Sequence, residues 1–160
     1  GYNNMAVETE LGFQLNATVD QPIRSVEELK GLVQTVLPVM EFPNAAFGND
    51  PTYGDLISAN AGSAAFITGA AHESGGIDAN AVHVTLRRDT TVMNTGTGTD
   101  AMGNQWEVLR WLINKMVEQG YQISPEDLLI TGALGAAFPG ESGKYTADFG
   151  SLGTIDFYIQ

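Results

Sequence analysis

Near the start of the chain stands the run Val7-Glu8-Thr9-Glu10-Leu11-Gly12-Phe13, in which one residue separates two glutamates. Residues i and i+2 of an extended strand point to the same side, so Glu8 and Glu10 are predicted to stand side by side. Two carboxylates this close raise each other's pKa unless a cation lies between them. Binding of a hard divalent ion such as Mg²⁺ is the usual reason for such a pair of carboxylates in a protein. The alternative is a solvated strand face that carries two unrelated acids.

A third glutamate follows a few tens of residues later, at the end of an apolar run. Residues 36–42 read as the next strand, and this strand carries Glu41 near its end. Three carboxylates together with water would suit a hard ion that prefers octahedral coordination.

Composition limits the kind of protein and the kind of partner. The chain has 160 residues with 43% hydrophobic composition, which predicts a single domain over residues 1–160 with a substantial core. Its net charge of −12 argues against nucleic acid and anionic membranes as partners. The absence of cysteine excludes disulfides, thiol nucleophiles and iron–sulfur clusters. No apolar run reaches the roughly 18 residues of a membrane helix.

Periodicity and turn residues predict many strands and few helices. A capping box at Ser25 and Glu28 opens a short helix that we expect to run to about Thr35 and to end before Pro38. A short helical turn is expected near 55–58 and one long helix over 104–119. The strands are predicted at 7–17, 36–42, 64–68 (buried), 81–88, 91–96, 128–132, 145–149 and 154–159, with hairpin turns at 89–90 and 150–153. The fold class is α+β, mainly β, because helices and strands do not alternate.

Four segments together resemble one known family. They are the V-E-x-E strand at 7–10, Met40-Glu41, the loop Ser58-Ala59-Asn60-Ala61-Gly62-Ser63-Ala64, and the tail with T-G-A-L at 131–134, P-G at 139–140 and A-D-F-G-S-L-G at 147–153. In this order they are similar to the hydratase/decarboxylase branch of the fumarylacetoacetate hydrolase superfamily. The resemblance runs from about Val7 to the C-terminus.

The resemblance implies a fold, a cofactor and a reaction class. The fold would be that superfamily's mixed β-roll, and Mg²⁺ or Mn²⁺ would be held by Glu8, Glu10 and Glu41. The activity would be that of a lyase (hydratase, decarboxylase or tautomerase) on a small 2-oxo or 2-hydroxydienoic acid. The family location is the cytoplasm, although a secreted or periplasmic protein is the alternative if a signal once preceded Gly1.

The chain also departs from the family pattern. Full-length relatives have a long segment before the V-E-x-E strand that supplies a lysine for acid–base chemistry, whereas only Gly1 to Ala6 precede it here. The three lysines, Lys30, Lys115 and Lys144, are all distant from the glutamates in sequence. We therefore keep a second hypothesis, a trimmed, non-catalytic family member that serves as a binding or assembly subunit. A missing segment would expose the pocket wall, so we expect a homo-oligomer.

Several further residues are candidates for substrate binding or catalysis. Asn60 and Ser63 could hydrogen-bond the substrate or simply form a turn. Thr131 and Gly132 could present a hydroxyl and an N–H group to a carboxylate, or merely mark the end of a strand. Because the family lysine is missing, the candidates for the catalytic base or donor are His72, Asp50, Asp55 and Tyr53.

Overall fold

The computed structural model describes residues 5–44, 52–59 and 62–160, which form two sheets and three helices. The strands are β1 (Ala6–Leu15), β2 (Val33–Pro43), β3 (Ser63–Thr68), β4 (His72–Glu73), β5 (His83–Arg88), β6 (Thr91–Thr97), β7 (Leu129–Ile130), β8 (Phe138–Pro139), β9 (Gly143–Asp148) and β10 (Thr154–Ile159). The helices are α1 (Val26–Leu32), α2 (Tyr53–Ser58) and α3 (Gln105–Glu118). The predicted mainly β, α+β fold with one long helix is confirmed.

The two sheets enclose a common core. The first has the order β3-β2-β1-β7, with β4 beside β2 and β8 beside β1, and the second has the order β10-β9-β5-β6. All of these pairings are antiparallel. Phe42 on β2 meets Phe157 on β10 edge to face with 5.2 Å between ring centroids, and Phe13 on β1 contacts Trp106 on α3 at 5.8 Å. The core therefore joins both sheets to α3.

Helix α1 is shorter than predicted. Ser25 does cap it, since the Ser25 side chain accepts a hydrogen bond from the Glu28 N–H at 3.2 Å. The helix nevertheless ends at Leu32, because β2 begins at once with the buried Val33. Pro38 lies inside β2 opposite Leu11 and does not terminate the helix. Its carbonyl accepts a hydrogen bond from Gly69, so the proline still takes part in the backbone bonding of the sheet.

Strand β3 corrects a second prediction. Residues 64–68 were expected to be buried, but Phe66 is 57% exposed and Ile67 is 36% exposed. The reason is topological: β3 lies at the edge of its sheet and pairs with β2 on one side. The apolar composition of a strand shows that it could be buried, but it does not show whether another sheet or helix packs against it.

The remaining boundaries follow the predictions closely. Strand β5 begins at His83 rather than at residue 81, because Ala79–Ala81 forms a short 3₁₀ turn that the Asp78 side chain caps. The hairpins around Asp89 and between β9 and β10 are confirmed. Helix α3 starts after Asn104, whose side chain accepts hydrogen bonds from the first turn. Within the described residues, no helix is both long and apolar enough to cross a membrane.

Candidate metal centre

Three carboxylates converge on one face of the β1–β2 pair. Glu8 on β1 lies directly opposite Glu41 on β2, and Glu10, two residues further along β1, shares their face. One carboxylate oxygen of each residue lies within 4.8 Å of the others. The structure thus brings together the three glutamates that the sequence singled out. We refer to Glu8, Glu10 and Glu41 as the acidic cluster.

The acidic cluster lies in an environment that disfavours negative charge. Glu10 is only 1% exposed, and Glu8 and Glu41 are half-buried. Burial raises the pKa of Glu10 to about 8, and the Glu41 and Glu8 carboxylates add to the rise, while the Gly132 N–H opposes it. The pKa of Glu8 is also raised, first by burial and then by Glu41. Without a cation, the cluster therefore tends to take up a proton.

A backbone N–H group orients the buried carboxylate. The Gly132 N–H donates to Glu10 Oε2 at 2.8 Å, immediately after the short strand β7. Gly132 has φ +99°, a conformation that favours glycine because it has no Cβ. Strand β7 pairs Ile130 with Gly12 of β1, which carries the following residues past Glu10. Gly132 thus contacts the cluster, with its N–H group bound to Glu10.

The Thr131 hydroxyl is directed away from the carboxylates. It donates to Oε1 of Gln105, the first residue of α3, at 2.6 Å, and it lies 3.4 Å from the Leu11 carbonyl. Thr131 and Gln105 are both buried. The sequence proposed Thr131 as a substrate contact, whereas in the structure its hydroxyl is hydrogen-bonded inside the protein.

The opposite face of β1 carries a second buried polar group. The Asn94 Nδ2 group donates to the Leu134 carbonyl at 2.7 Å and to Thr9 Oγ1 at 3.3 Å. The Thr9 hydroxyl donates to the same carbonyl at 3.0 Å, and the Ala136 N–H donates to Asn94 Oδ1 at 3.2 Å. We call Thr9, Asn94 and the backbone of 134–136 the buried amide cluster. It fastens the segment after Gly132 to β1.

Close packing at Gly12 closes one end of the acidic face. Gly12 shares the face of Glu8 and Glu10, and a Cβ there would come within 2.7 Å of the Val39 side chain and 2.8 Å of the Leu128 side chain. These two side chains therefore lie directly over the strand backbone. The E-x-E-L-G spacing puts a small residue next to the carboxylates, where apolar side chains exclude water.

His72, Asp55 and Ser63 occupy positions outside the acidic cluster. His72 pairs with Val36, which faces the opposite side of β2 from Glu41, and its Nε2 atom lies 3.0 Å from the Leu152 carbonyl. Asp55 caps α2 by accepting hydrogen bonds from the Thr52 N–H and hydroxyl groups, which lower its pKa. Ser63 begins β3 opposite Pro43 and is exposed.

Three other candidates cannot be placed by their side chains. Asp50 and Asn60 lie outside the described residues, and Tyr53 begins α2 with a side chain that is also outside the description. Their proposed roles stay predictions.

The three lysines are all engaged away from the acidic cluster. The Lys30 ammonium lies 5.1 Å from the centre of the Trp106 ring, Lys115 pairs with Glu118, and Lys144 lies 3.9 Å from Asp156. These are the only lysines in the sequence. None of these contacts lies at the acidic cluster.

Sequence reasoning missed Gln105, Asn94 and Thr9. Their hydrogen bonds join positions 26 to 125 residues apart in the chain. No local spacing rule links such positions. Only the polar residue Thr9 in an otherwise buried strand, between the two glutamates, could have drawn attention to the second face of β1.

Comparisons with known proteins identify relatives of the chain. A 2-keto-4-pentenoate hydratase from Paraburkholderia phymatum is 29% identical over 152 residues, which cover 93% of this chain and 58% of the relative. A second 2-keto-4-pentenoate hydratase, from Burkholderia vietnamiensis, is 32% identical over 108 residues, covering 66% of this chain and 41% of the relative. The predicted resemblance to the hydratase/decarboxylase branch is confirmed. No protein-family profile matches the chain.

A solved structure agrees on the fold. The 4-oxalocrotonate decarboxylase from Pseudomonas putida G7, complexed with magnesium and adipate, superposes with a TM-score of 0.88 at 22% sequence identity. The match covers 96% of this chain and 59% of the decarboxylase chain. The chain has the fumarylacetoacetate hydrolase fold. It spans between 41% and 59% of the length of these three relatives.

Proposed function

We propose that the chain is a divalent-metal-dependent lyase acting on a small 2-oxo or 2-hydroxydienoic acid, with Glu8, Glu10 and Glu41 as ligands of Mg²⁺ or Mn²⁺. The observation that carries the proposal is the convergence of the three carboxylates within 4.8 Å on one strand pair. The names of the relatives, hydratases and a decarboxylase of 2-oxo acids, support the reaction class.

The donor set fits a hard divalent cation. Three carboxylates supply only oxygen ligands, which Mg²⁺ and Mn²⁺ prefer. Burial of Glu10 beside two other acids is unfavourable for the protein alone, and a cation would remove that cost by favouring the ionised carboxylates. The magnesium in the decarboxylase structure is consistent with this choice of ion.

The protein's own part in the chemistry would be to position and to exclude water. Glu10 lies at the buried side of the cluster, where the Gly132 N–H fixes one of its oxygens, and Glu8 and Glu41 lie at the more open side. When bound, the ion would supply a Lewis acid able to chelate the 1-carboxylate and 2-oxo oxygens of the substrate and to favour loss of a proton from C3. Phe66 pairs with Glu41 across β2 and β3 and is 57% exposed, which offers an apolar contact for the substrate's hydrocarbon part.

One observation favours the second hypothesis, a family member that binds without turnover. Each lysine is engaged elsewhere, and among the described residues the group that could hold a metal consists of the three glutamates. A chain of this kind would still bind the cation and a 2-oxo acid. The two hypotheses therefore agree on metal binding and differ on turnover.

Metal binding and turnover are tested separately. Mn²⁺ and Mg²⁺ should raise the melting temperature of the wild-type chain and give a saturable calorimetric isotherm, by linkage of binding to folding. The Glu10→Ala variant should lose both effects, whereas Glu126→Ala, which removes an exposed acid, should keep them. No response of the wild type to either ion would contradict the metal centre. Loss of the ultraviolet absorbance of 2-hydroxypenta-2,4-dienoate in the presence of Mn²⁺ would separate a lyase from a binding subunit.

A further inference from the structure

Gln105 is a fully buried polar side chain whose role the proposed function does not explain. It is 0% exposed, and its Oε1 atom accepts the 2.6 Å hydrogen bond from Thr131. Its Nε2 group has no hydrogen-bond partner within the described residues. A buried amide with an unpaired donor destabilises the fold relative to an apolar side chain of the same shape. Stability alone therefore does not explain glutamine at this position.

The hydrogen bonds of Gln105 lead to the acidic cluster. Its partner Thr131 is joined by a peptide bond to Gly132, whose N–H group binds Glu10 at 2.8 Å. Among the described residues, nothing apart from the chain neighbours of Gly132 lies within 4 Å of the place that a Cβ would occupy. Side-chain packing by those residues therefore does not fix Gly132 on that side. One residue before Gly132, the Thr131 hydroxyl donates to Gln105 Oε1 and lies 3.4 Å from the Leu11 carbonyl.

We propose that Gln105 is a positioning residue for the metal ligand Glu10. By fixing the Thr131 hydroxyl, it sets the direction of the Gly132 N–H group, which in turn holds Glu10 in the rotamer that faces Glu8 and Glu41. Groups that orient metal ligands contribute measurably to metal affinity, although they do not touch the ion. This inference rests on the proposed function, because it requires that the acidic cluster bind a cation.

The test compares metal affinity with stability in the Gln105→Met variant. Methionine fills a similar volume without polar atoms. We expect the Mn²⁺ dissociation constant, measured by calorimetry, to rise about fivefold, less than the 10–100-fold typical of groups that contact a ligand directly. We expect the metal-free melting temperature to change little, because removal of the unpaired amide offsets loss of the Thr131 hydrogen bond, and the Thr131 hydroxyl can still donate to the Leu11 carbonyl 3.4 Å away. A purely structural glutamine would give the opposite result, a lower melting temperature with an unchanged dissociation constant.

Substitutions of Thr131 test the same contact independently if Gln105→Met does not fold. Thr131→Val removes the hydroxyl at nearly constant shape and should weaken Mn²⁺ binding about as much as Gln105→Met, while Thr131→Ser should retain the wild-type affinity. The double variant should be no weaker than either single variant, because both remove the same contact. Gln122→Met replaces an exposed glutamine and serves as the matched control.

The outcomes separate this inference from the proposed function. Wild-type binding of Mn²⁺ with unchanged affinity in Gln105→Met and Thr131→Val would overturn the positioning role and leave the metal centre intact. Absence of Mn²⁺ binding by the wild type would overturn the proposed function, and with it the inference. Weaker binding in both variants, with Thr131→Ser and Gln122→Met at the wild-type value, would support the positioning role.

Discussion

The acidic cluster and the buried amide cluster are built on neighbouring residues of β1 but differ in how their polar atoms are satisfied. Thr9 points to one face of the strand, where Asn94 and the backbone of 134–136 pair with one another. Glu8 and Glu10 point to the other face, where the three carboxylates converge and, among the described residues, the Gly132 N–H group donates to Glu10. The first group is neutral and internally paired, whereas the second has an excess of acceptors and negative charge.

A buried polar cluster whose atoms are paired within the protein is structural, whereas a cluster with unpaired charges is stabilised by binding a ligand. Hydrogen bonds within a buried neutral cluster stabilise the fold whether or not a cation is bound, and they do not depend on the ionisation of a carboxylate. Buried like charges destabilise it until a cation binds or a proton neutralises one of them. Substitutions on the two faces of β1 should therefore have opposite effects on the free energy of unfolding, and only one face should respond to metal.

The largest expected effect is that of Asn94→Ala in the buried amide cluster. The substitution removes the bonds to the Leu134 carbonyl, to Thr9 and from the Ala136 N–H, and it leaves a cavity. We expect the free energy of unfolding, measured by urea denaturation without metal, to fall by about 3 kcal/mol. Asn16→Ala, which removes one exposed hydrogen bond to Gly31, should cost far less. Equal losses in the two variants would contradict the structural role of the cluster.

The next largest effect is that of Glu10→Gln in the acidic cluster. This variant removes a buried charge at constant shape, so the metal-free protein should be at least as stable as the wild type at pH 8. It should lose the stabilisation by Mn²⁺, which for the wild type is about 2.7 kcal/mol at a concentration 100 times the dissociation constant. Denaturation curves with and without Mn²⁺ measure both quantities. A Glu10→Gln protein that is less stable than the wild type without metal would mean that the ionised carboxylate stabilises the fold by itself.

Much of the fold was predictable because its signals are local. The cap at Ser25 and the alternation of β9 and β10 depend on neighbours within a few residues. The end of α1 was misplaced because Pro38 suggested a helix stop, whereas tertiary pairing with β1 made the strand start at Val33. The exposure of β3 could not be predicted, since it depends on which sheet edge the strand occupies.

The three glutamates of the candidate site were also predictable, but the residues around them were not. The i, i+2 spacing placed Glu8 and Glu10 on one face, and the family resemblance supplied Glu41, which the register then set opposite Glu8. The residues that support the cluster were not predictable, because the bond from Gly132 to Glu10 spans 122 positions. Contacts between residues this far apart in the sequence are determined by the topology of the fold, and the local sequence around either residue does not predict them.

The acidic cluster should also make the stability of the metal-free protein depend on pH. The pKa of Glu10 is raised from 4.5 to about 8 in the folded chain, mainly by burial, so the folded state binds a proton more tightly than the unfolded state. This contribution to stability is fully present below pH 4.5 and is lost as the pH rises through 8. Between pH 6 and pH 8 we expect metal-free stability to fall by about 2 kcal/mol at most.

A comparison with Glu10→Gln separates the pH-dependent contribution of Glu10 to stability from the general charge repulsion in an acidic protein. The net charge of −12 also favours mild acidification, but the variant shares nearly all of that charge. The wild type should therefore show a steeper loss of stability from pH 6 to pH 8 than Glu10→Gln, and saturating Mn²⁺ should remove the difference. Parallel slopes in the two proteins without metal would contradict the raised pKa.

The smallest expected effect is that of His72→Ala, which tests whether the face opposite the acidic cluster takes part in chemistry. The His72 side chain is hydrogen-bonded to the Leu152 carbonyl, and loss of that bond should cost about 1 kcal/mol of stability. Because the register turns His72 away from Glu41, the Mn²⁺ dissociation constant and any turnover should match the wild type. A variant that kept its Mn²⁺ affinity but lost turnover a hundredfold would show that the substrate reaches His72. In that case the metal would bind only on the face of the sheet that carries Glu41, while a residue of the opposite face, His72, would take part in proton transfer.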